Sequence, residues 1–176
     1  MKRITLPISK ETVSTLKAGD CVLISGTILT ARDCAHKRIF ELIERNKKLP
    51  FKVEGSVIFY AGPCPAKPDT VSGSCGPTTS SRMNTYAPRL LDLGLGAIIG
   101  KGEMSDEVRD AIKRNNAIYF AAIGGAGALY ASCIKNSECV AFEDLLSEAV
   151  YRLEVEDFPA IVAYDCLGGS IYEKNS

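Results

Sequence analysis

Short segments rich in β-branched and aliphatic residues alternate with amphipathic segments along this chain, and that alternation limits the folds it can adopt. Apolar strands separated by single helices are typical of α/β domains with parallel strand pairs. The sequence predicts strands at 21–29, 56–60, 96–99, 117–123 and 139–142, and helices at 32–48, 80–93, 106–115 and 125–134. It also predicts a short helix or turn at 9–16 and two further strands at 151–155 and 160–164. The expected fold is a single layered α/β domain with a mixed sheet.

The length and charge of the chain exclude several classes of protein. With 176 residues there is room for one domain, assigned to 21–176, and a short N-terminal docking extension at 1–20. The 21 Lys and Arg residues balance 21 Asp and Glu residues, which leaves no basic field to bind a nucleic-acid backbone. No apolar stretch approaches the ~20 residues of a membrane span, and the N-terminus lacks the apolar region of a signal peptide. We therefore expect a cytoplasmic protein without nucleic-acid or membrane partners.

The seven cysteines do not have the spacing of metal ligands. None of them forms a C-x-x-C pair, and His36 is the one histidine in the sequence. This pattern argues against a zinc ribbon or a ferredoxin-type cluster. We interpret most of the cysteines as buried thiols that act as small hydrophobic side chains, and we predict no metal ligand in this chain.

The segment G-P-T-T-S-S-R at 76–82 gives the strongest indication of a binding site. Thr78 and Arg82 stand four residues apart, which would place them on one helical face if the helix began that early. Free N–H groups at a helix start attract an anion, and a guanidinium can bind a carboxylate or phosphate through two parallel bonds. The alternative is that Thr79 or Ser80 caps the helix and Arg82 is a solvated surface residue.

A second polar turn, R-D-C-A-H-K-R, follows the first of the buried strands and begins at Arg32. His36 lies four residues further on, at the predicted helix start, beside Lys37 and Arg38. Positive charges oppose the helix dipole at this end, so their accumulation suggests that an anion binds between them. The alternative is that Asp33 caps and pairs locally, the lysine and the second arginine face water, and the histidine is a hydrogen-bonded structural residue.

Two glycine-flanked segments follow later strands. Lys101, in G-K-G, comes directly after the predicted strand 96–99, where ligands bind in open α/β sheets. The segment G-G-A-G at 124–127 also follows a strand, but it lacks the spacing of a dinucleotide-binding motif. We interpret Lys101 as a candidate cationic site residue and the second segment as a tightly packed helix start.

Together these motifs resemble a known protein family. The resemblance rests on S-G-T at 25–27, A-R-D-C-A-H-K-R at 31–38, Y-A-G-P at 60–63, G-P-T-T-S-S-R-M at 76–83, G-K-G at 100–102 and F-P-A at 158–160. With them, essentially the whole chain is similar to the β subunit of class I (iron–sulfur) fumarate hydratases and of the related L-tartrate dehydratases. The resemblance implies the swivelling β/β/α fold of that β part, which is the C-terminal domain of single-chain members.

The resemblance also implies an activity that needs a second chain. The family reaction is the reversible hydration of fumarate to L-malate, and the three cysteine ligands of the family's [4Fe–4S] cluster lie on an α subunit. An open iron of that cluster would act as a Lewis acid on the departing hydroxyl. The implied partners are a dicarboxylate substrate and this α subunit, in an α2β2-type assembly, with a β homodimer as the form of the chain alone.

Carried over to this sequence, the family pattern assigns roles to individual residues. The implied substrate-binding residues are Arg32, Thr79, Arg82 and Lys101. Thr78 is the implied base for the carbon-bound proton, and Lys101 belongs to the catalytic group because a nearby cation can lower the pKa of a hydroxyl. Asp33 and His36, at positions near the substrate, would orient Arg32 or shuttle protons.

Two alternatives to fumarate hydration remain open at this point. The substrate could be tartrate or another hydroxy-dicarboxylate, because no residue decides between one hydroxyl group and two. The chain could also be a non-catalytic dicarboxylate-binding module that keeps the anion site without a partner.

Overall fold

A computed structural model describes residues 1–173 of the chain. The strands are β1 Lys2–Thr5, β2 Cys21–Thr30, β3 Val57–Phe59, β4 Ala97–Gly100, β5 Ile118–Ala121, β6 Ile134–Ala141 and β7 Val150–Tyr164. The α-helices are α1 Lys10–Thr15, α2 Asp33–Glu44, α3 Ala87–Asp92, α4 Asp106–Arg114 and α5 Gly127–Cys133, and 3₁₀ helices span Ser80–Met83 and Glu143–Glu148. Within the described range, no helix has the length and apolar character needed to cross a membrane.

The seven strands of the described chain form one sheet, most of which is parallel. β1 to β5 lie side by side in chain order, each parallel to the next. β7 pairs antiparallel with β5, β6 and β2, so the sheet curls back on itself and partly closes. The predicted α/β class with a mixed sheet is confirmed. The parallel arrangement brings the carboxyl ends of β2, β3, β4 and β5 to one edge.

The two faces of the sheet bury different side chains because strand residues alternate in direction. Phe59, Phe120 and Phe158 point to the inside of the partly closed sheet, where they pack with α1 and α5. Ile58 and Ile98 point to the other face and pack with α2, α3 and α4. Both layers of packing hold the ends of β3 and β4 in place, and these ends carry the candidate site.

The prediction of two separate strands at 151–155 and 160–164 is wrong, because β7 runs through both. Asp157 adopts a φ of 51° at a bulge, where the pairing between β7 and β2 shifts in register. Pro159 pairs with β2 on one side only, because the pairing of β7 with β6 ends at Val155 and that with β5 begins at Ile161. The proline therefore lies in a stretch of the strand whose other side has no ladder hydrogen bond to lose, not in a turn.

The predicted helix 80–93 is also wrong, since it is divided into a 3₁₀ helix and α3. Pro88 lies in the first turn of α3, the position where a missing N–H costs least, and a continuous helix could not contain it. The other predicted elements are present with shifted bounds. The largest shifts are the early start of β6 at Ile134 and the early end of α2 before Asn46, which adopts a φ of 51°.

Residues 1–20, predicted as a docking extension, are built into the same fold. β1, which the sequence did not predict, pairs with β2 along its whole length. Ile4, Val13 and Leu16 are buried in the core inside the sheet. A role of this segment in docking a partner stays a prediction. The last three residues of the predicted domain 21–176 lie outside the described residues.

Candidate active site

The candidate residues gather at the edge of the sheet where β2, β3 and β4 end. Residues 77–79 form an extended segment between the ends of β3 and β4. The Thr78 N–H donates to the Tyr60 carbonyl at 2.7 Å. Thr79 forms an isolated parallel β-bridge with Lys101. Thr78 is half-buried, whereas Thr79 and Lys101 are exposed. The structure thus brings three of the predicted site residues into one small region.

Thr78 and Arg82 do not share a helical face, because the 3₁₀ helix begins only at Ser80. The Ser80 N–H donates to the Lys101 carbonyl at 2.9 Å, so it is not free for an anion. Thr79 occupies the N-cap position without a side-chain capping bond. Thr78 instead reaches the site from extended backbone, and its position relative to Arg82 is set by the sheet.

Ser80 attaches this turn to the sheet. Its buried hydroxyl accepts a hydrogen bond from the Lys101 N–H at 2.7 Å and lies 2.9 Å from the Tyr119 hydroxyl. A Cβ on Gly100 would overlap Ser80 Oγ, so the close approach requires glycine there. A Cβ on Gly124 would lie 3.1 Å from Cδ of Lys101, which shows that the lysine side chain runs along the end of β5. The backbone of Lys101 is therefore fixed while its ammonium group reaches solvent.

The turn between β2 and α2 brings two further residues to this edge. Arg32 is the N-cap residue of α2, in extended conformation, and its side chain is 30% exposed. Asp33 follows it, and its Oδ1 accepts a hydrogen bond from Arg82 Nε at 3.1 Å. This bond ties the start of α2 to the 3₁₀ helix. The two arginines consequently reach the site from different elements.

His36 is fully buried behind Arg32. Its Nδ1 lies 2.9 Å from the Arg32 carbonyl, which can only accept, so Nδ1 carries the proton and donates. The imidazole stacks on Tyr86 and meets Tyr60 edge-on, at centroid distances of 5.4 and 5.5 Å. Burial lowers the pKa of His36 from 6.5 to about 4, so the ring is neutral near pH 7. The contact connects His36 to the backbone of Arg32; its role in proton transfer stays a prediction.

The structure reduces the positive charge that the sequence predicts at the start of α2. His36 is neutral at pH 7, and Lys37 is exposed. Arg38 turns to Asp144, with which it forms two hydrogen bonds of 2.7 and 2.5 Å. Neither His36 nor Arg38 therefore offers an unpaired positive charge to an anion at this turn.

Four buried polar side-chain atoms within residues 1–173 have no hydrogen-bond partner, and all four belong to this region. They are Arg32 Nε, Asp33 Oδ2, His36 Nε2 and Tyr60 Oη. Buried polar groups are normally paired, because an unpaired one costs roughly 1–3 kcal/mol. The set contains two donors and two acceptors. Their concentration at one edge of the sheet indicates that the fold leaves polar groups here for a ligand or for water.

Three further residues near this edge, Tyr60, Tyr119 and Glu148, are not among the site residues predicted from the sequence. Tyr60 could have been found, because a hydroxyl-bearing side chain directly after a short buried strand stands out in the sequence. Tyr119 lies within an apolar strand, where its contact with Ser80 leaves no local signal. Glu148 lies with its Oε1 3.8 Å from Arg32 Nε, a contact between distant parts of the chain that no sequence pattern encodes.

The cysteines do not gather at the site. The prediction that most of them are buried is wrong: the buried ones are Cys75, Cys133 and Cys166, whereas Cys21, Cys34 and Cys64 are exposed and Cys139 is half-buried. Burial raises the pKa of the Cys75 thiol to about 12. In the described part of the chain, no group of three His, Cys, Asp or Glu side chains could hold a metal ion.

Comparison with known proteins gives one family and several relatives. The family model described as Fumarase C-terminus matches residues 1–175. A protein of Methanocaldococcus jannaschii named "Putative L(+)-tartrate dehydratase subunit beta" is 44% identical over 173 residues, which are 95% of this chain and 89% of that protein. "Fumarate hydratase 2" of Leishmania major is 40% identical, with 96% of this chain and 30% of the relative covered. "Fumarate hydratase class I, anaerobic" of Escherichia coli is 39% identical, with 99% and 31% covered. The chain thus spans less than a third of the length of these two hydratases.

Proposed function

Because the chain belongs to the family of fumarase C-terminal domains, we propose that it supplies the dicarboxylate-binding half of an iron–sulfur hydro-lyase. In this proposal the enzyme interconverts fumarate and L-malate together with an α subunit. The convergence of Arg32, Arg82 and Lys101 at the edge that also carries Thr78 is the observation on which it rests. The relatives are named as hydratases and a dehydratase, and both reactions require a bound dianion and a proton transfer.

The three cations would bind the two carboxylates of the substrate. An arginine can bind one carboxylate through two parallel hydrogen bonds, and a lysine adds a point charge. Asp33 accepts from Nε of Arg82, which leaves the terminal nitrogens of that guanidinium for the substrate. Thr79 is exposed beside Lys101 and would donate its hydroxyl to the same anion.

Thr78 would move the carbon-bound proton. Its Oγ1 would accept this proton from malate during dehydration and return it during hydration. A threonine hydroxyl is a weak base, and nearby cations such as Lys101 favour its deprotonated form. The bond from the Thr78 N–H to the Tyr60 carbonyl fixes the backbone from which the hydroxyl extends.

The proposal places the cluster on the partner. In this proposal the [4Fe–4S] cluster is held by the α subunit. There it would supply Lewis-acid polarisation of the departing hydroxyl. The M. jannaschii relative is named a beta subunit, which supports a separate partner chain. The proposed complex is an α2β2-type assembly in the cytoplasm.

L(+)-tartrate is the second candidate substrate. The relative named a tartrate dehydratase subunit is 44% identical and is covered over 89% of its length, whereas the two fumarate hydratases are covered over 30 and 31%. Tartrate and malate share two carboxylates and differ in one hydroxyl group, so the cations of this site suit both.

Anaerobic assays with both substrates test the proposal. The chain is assayed alone and with its candidate α subunit after cluster reconstitution, with fumarate followed by its absorbance and tartrate by formation of the keto acid. Fumarate turnover in the mixture, but not with the separate chains, would support the first candidate, and tartrate turnover alone would support the second. No turnover in a verified, cluster-loaded complex would reject both candidates. Calorimetry with fumarate would then test the non-catalytic binding module.

A further inference from the structure

A segment before β7 carries a carboxylate to the protected side of Arg32. We call residues 142–148 the strap; they include the 3₁₀ helix Glu143–Glu148. The strap is attached to α2 through the two hydrogen bonds between Arg38 and Asp144. At its end, Oε1 of Glu148 lies 3.8 Å from Nε of Arg32.

The two ends of the Arg32 guanidinium face different surroundings. Its Nε is buried and has no hydrogen-bond partner, although the side chain as a whole is 30% exposed. The exposed part therefore lies at the terminal nitrogens, where a ligand can reach them. Glu148 is 27% exposed and faces this buried Nε across 3.8 Å, as an ion pair that is too long for a hydrogen bond. A guanidinium can bind one carboxylate through its terminal nitrogens while a second carboxylate attracts it from the Nε side.

Backbone packing holds the strap and the Arg32 stem against each other. A Cβ on Gly62 would overlap the Ser147 carbonyl oxygen and would lie 3.1 Å from Cδ of Arg32. The arginine stem therefore passes close to the point where the strap touches Gly62. Leu146, with φ 55° and ψ −118°, has an unusual conformation for leucine, and its carbonyl accepts from the Tyr151 hydroxyl at 3.1 Å. Such conformations persist where surrounding contacts determine them.

We propose that Glu148 is a positioning residue for Arg32. Its carboxylate attracts the guanidinium from the Nε side, across the 3.8 Å ion pair, and holds it so that the terminal nitrogens face a substrate carboxylate. The inference rests on the proposed function, because it takes Arg32 to bind the dicarboxylate. A competing role, in which Glu148 occupies Arg32 in place of the substrate, makes the opposite prediction: removal of the carboxylate would then lower KM.

Kinetics of the complex with the α subunit separate these two roles. Glu148→Ala is expected to raise KM for the dicarboxylate about 10-fold with kcat changed less than about 3-fold, because Arg32 binds the carboxylate equally in ground and transition states. Glu148→Gln keeps the size of the side chain but removes its charge, so it should raise KM to a similar extent. The matched control is Glu143→Ala, which removes an exposed carboxylate from the same strap and should leave KM within about 2-fold. An unchanged or lower KM in Glu148→Ala, or an equal rise in Glu143→Ala, would overturn the proposal.

A nuclear magnetic resonance measurement on the full chain does not depend on activity. Arginine Nε–H groups give their own nitrogen–proton signals, and the signal missing in Arg32→Lys belongs to Arg32. Because Nε is buried, this signal should be protected from solvent exchange in the wild type and in Glu143→Ala, and it should lose protection in Glu148→Ala, where the guanidinium is no longer held in place. Unchanged protection in Glu148→Ala would overturn the positioning role whatever the activity of the complex. Lost protection together with an inactive complex would support it and count against the proposed function.

Discussion

Arg32 and Arg82 reach the same edge of the sheet, but the fold holds them in different ways. The carbonyl of Arg32 accepts from the buried His36, its Nε is buried, and its stem passes close to Gly62. Arg82 is 54% exposed, and its side chain is held by one hydrogen bond to Asp33. Folding therefore determines the position of Arg32, whereas Arg82 can adjust to a bound anion.

This difference indicates that Arg32 and Arg82 contribute to substrate binding in different ways. A preorganised cation lowers the entropy cost of binding because its side chain is already ordered. An exposed arginine on a short 3₁₀ helix must be ordered by its ligand, and its pair with Asp33 contributes little to stability in water. We expect variants on the Arg32 side to change stability and function together, and variants of Arg82 to change function alone.

The largest effect is expected for Thr78, at the edge of the sheet that also carries Arg32 and Arg82. Thr78→Ala should lower kcat about 10²- to 10⁴-fold, the range lost with a general base, while KM stays within a few-fold. Thr78→Ser keeps a hydroxyl group and should retain most of the turnover. The measurement is steady-state kinetics in the reconstituted complex. If Thr78→Ala raised KM and left kcat unchanged, Thr78 would be a substrate-binding residue instead.

The second prediction concerns the buried support of Arg32. The pKa of His36 is about 4 in the folded protein against 6.5 unperturbed, so protonation favours the unfolded chain. The contribution is fully present above pH 6.5, and about 3 kcal/mol of the free energy of unfolding is lost as pH falls from 6.5 to 4. Urea unfolding at several pH values should show this loss in the wild type.

His36→Gln is the reference for that experiment, because it removes the ionisable group and leaves the carboxylates that also respond to acid. Its free energy of unfolding should fall less steeply between pH 6.5 and 4 than that of the wild type. If the free energies of unfolding of the two proteins changed with pH in parallel, His36 would be accessible to protons in the folded state. The contrast between the buried support of Arg32 and the exposed Arg82 would then be weaker.

The third prediction compares the two arginines directly. Arg82→Ala should raise KM about 10- to 100-fold, as expected for one charge-assisted contact, and change the free energy of unfolding by less than about 0.5 kcal/mol. Arg32→Ala should raise KM similarly but also lower stability by about 1 kcal/mol or more, because its stem is packed. Equal stability changes in the two variants would remove the distinction between a fixed and an adjustable arginine.

The sequence predicted the elements of this site better than its contacts. Alternating strands and helices correctly placed Lys101 and Arg32 after buried strands, and parallel pairing then brings them to one edge. The extended backbone at Thr78 could not be predicted, because it depends on partners at the ends of two other strands. The neutral state of His36 could not be predicted from the sequence either, since it follows from burial by aromatic rings of other elements.

The smallest effect is expected for the ion pair that orients Arg82. Asp33→Asn keeps an oxygen that can accept from Nε of Arg82 but removes the charge, so KM should rise only about 2- to 5-fold. Asp92→Asn is the matched control, because Asp92 accepts two hydrogen bonds of 2.9 Å from Arg114, another exposed arginine outside the site. Both variants should lose similarly little stability, which thermal unfolding can verify. A rise in KM specific to Asp33→Asn would show that even the adjustable arginine is partly oriented before the substrate binds, whereas identical kinetics in the two variants would leave its orientation entirely to the ligand.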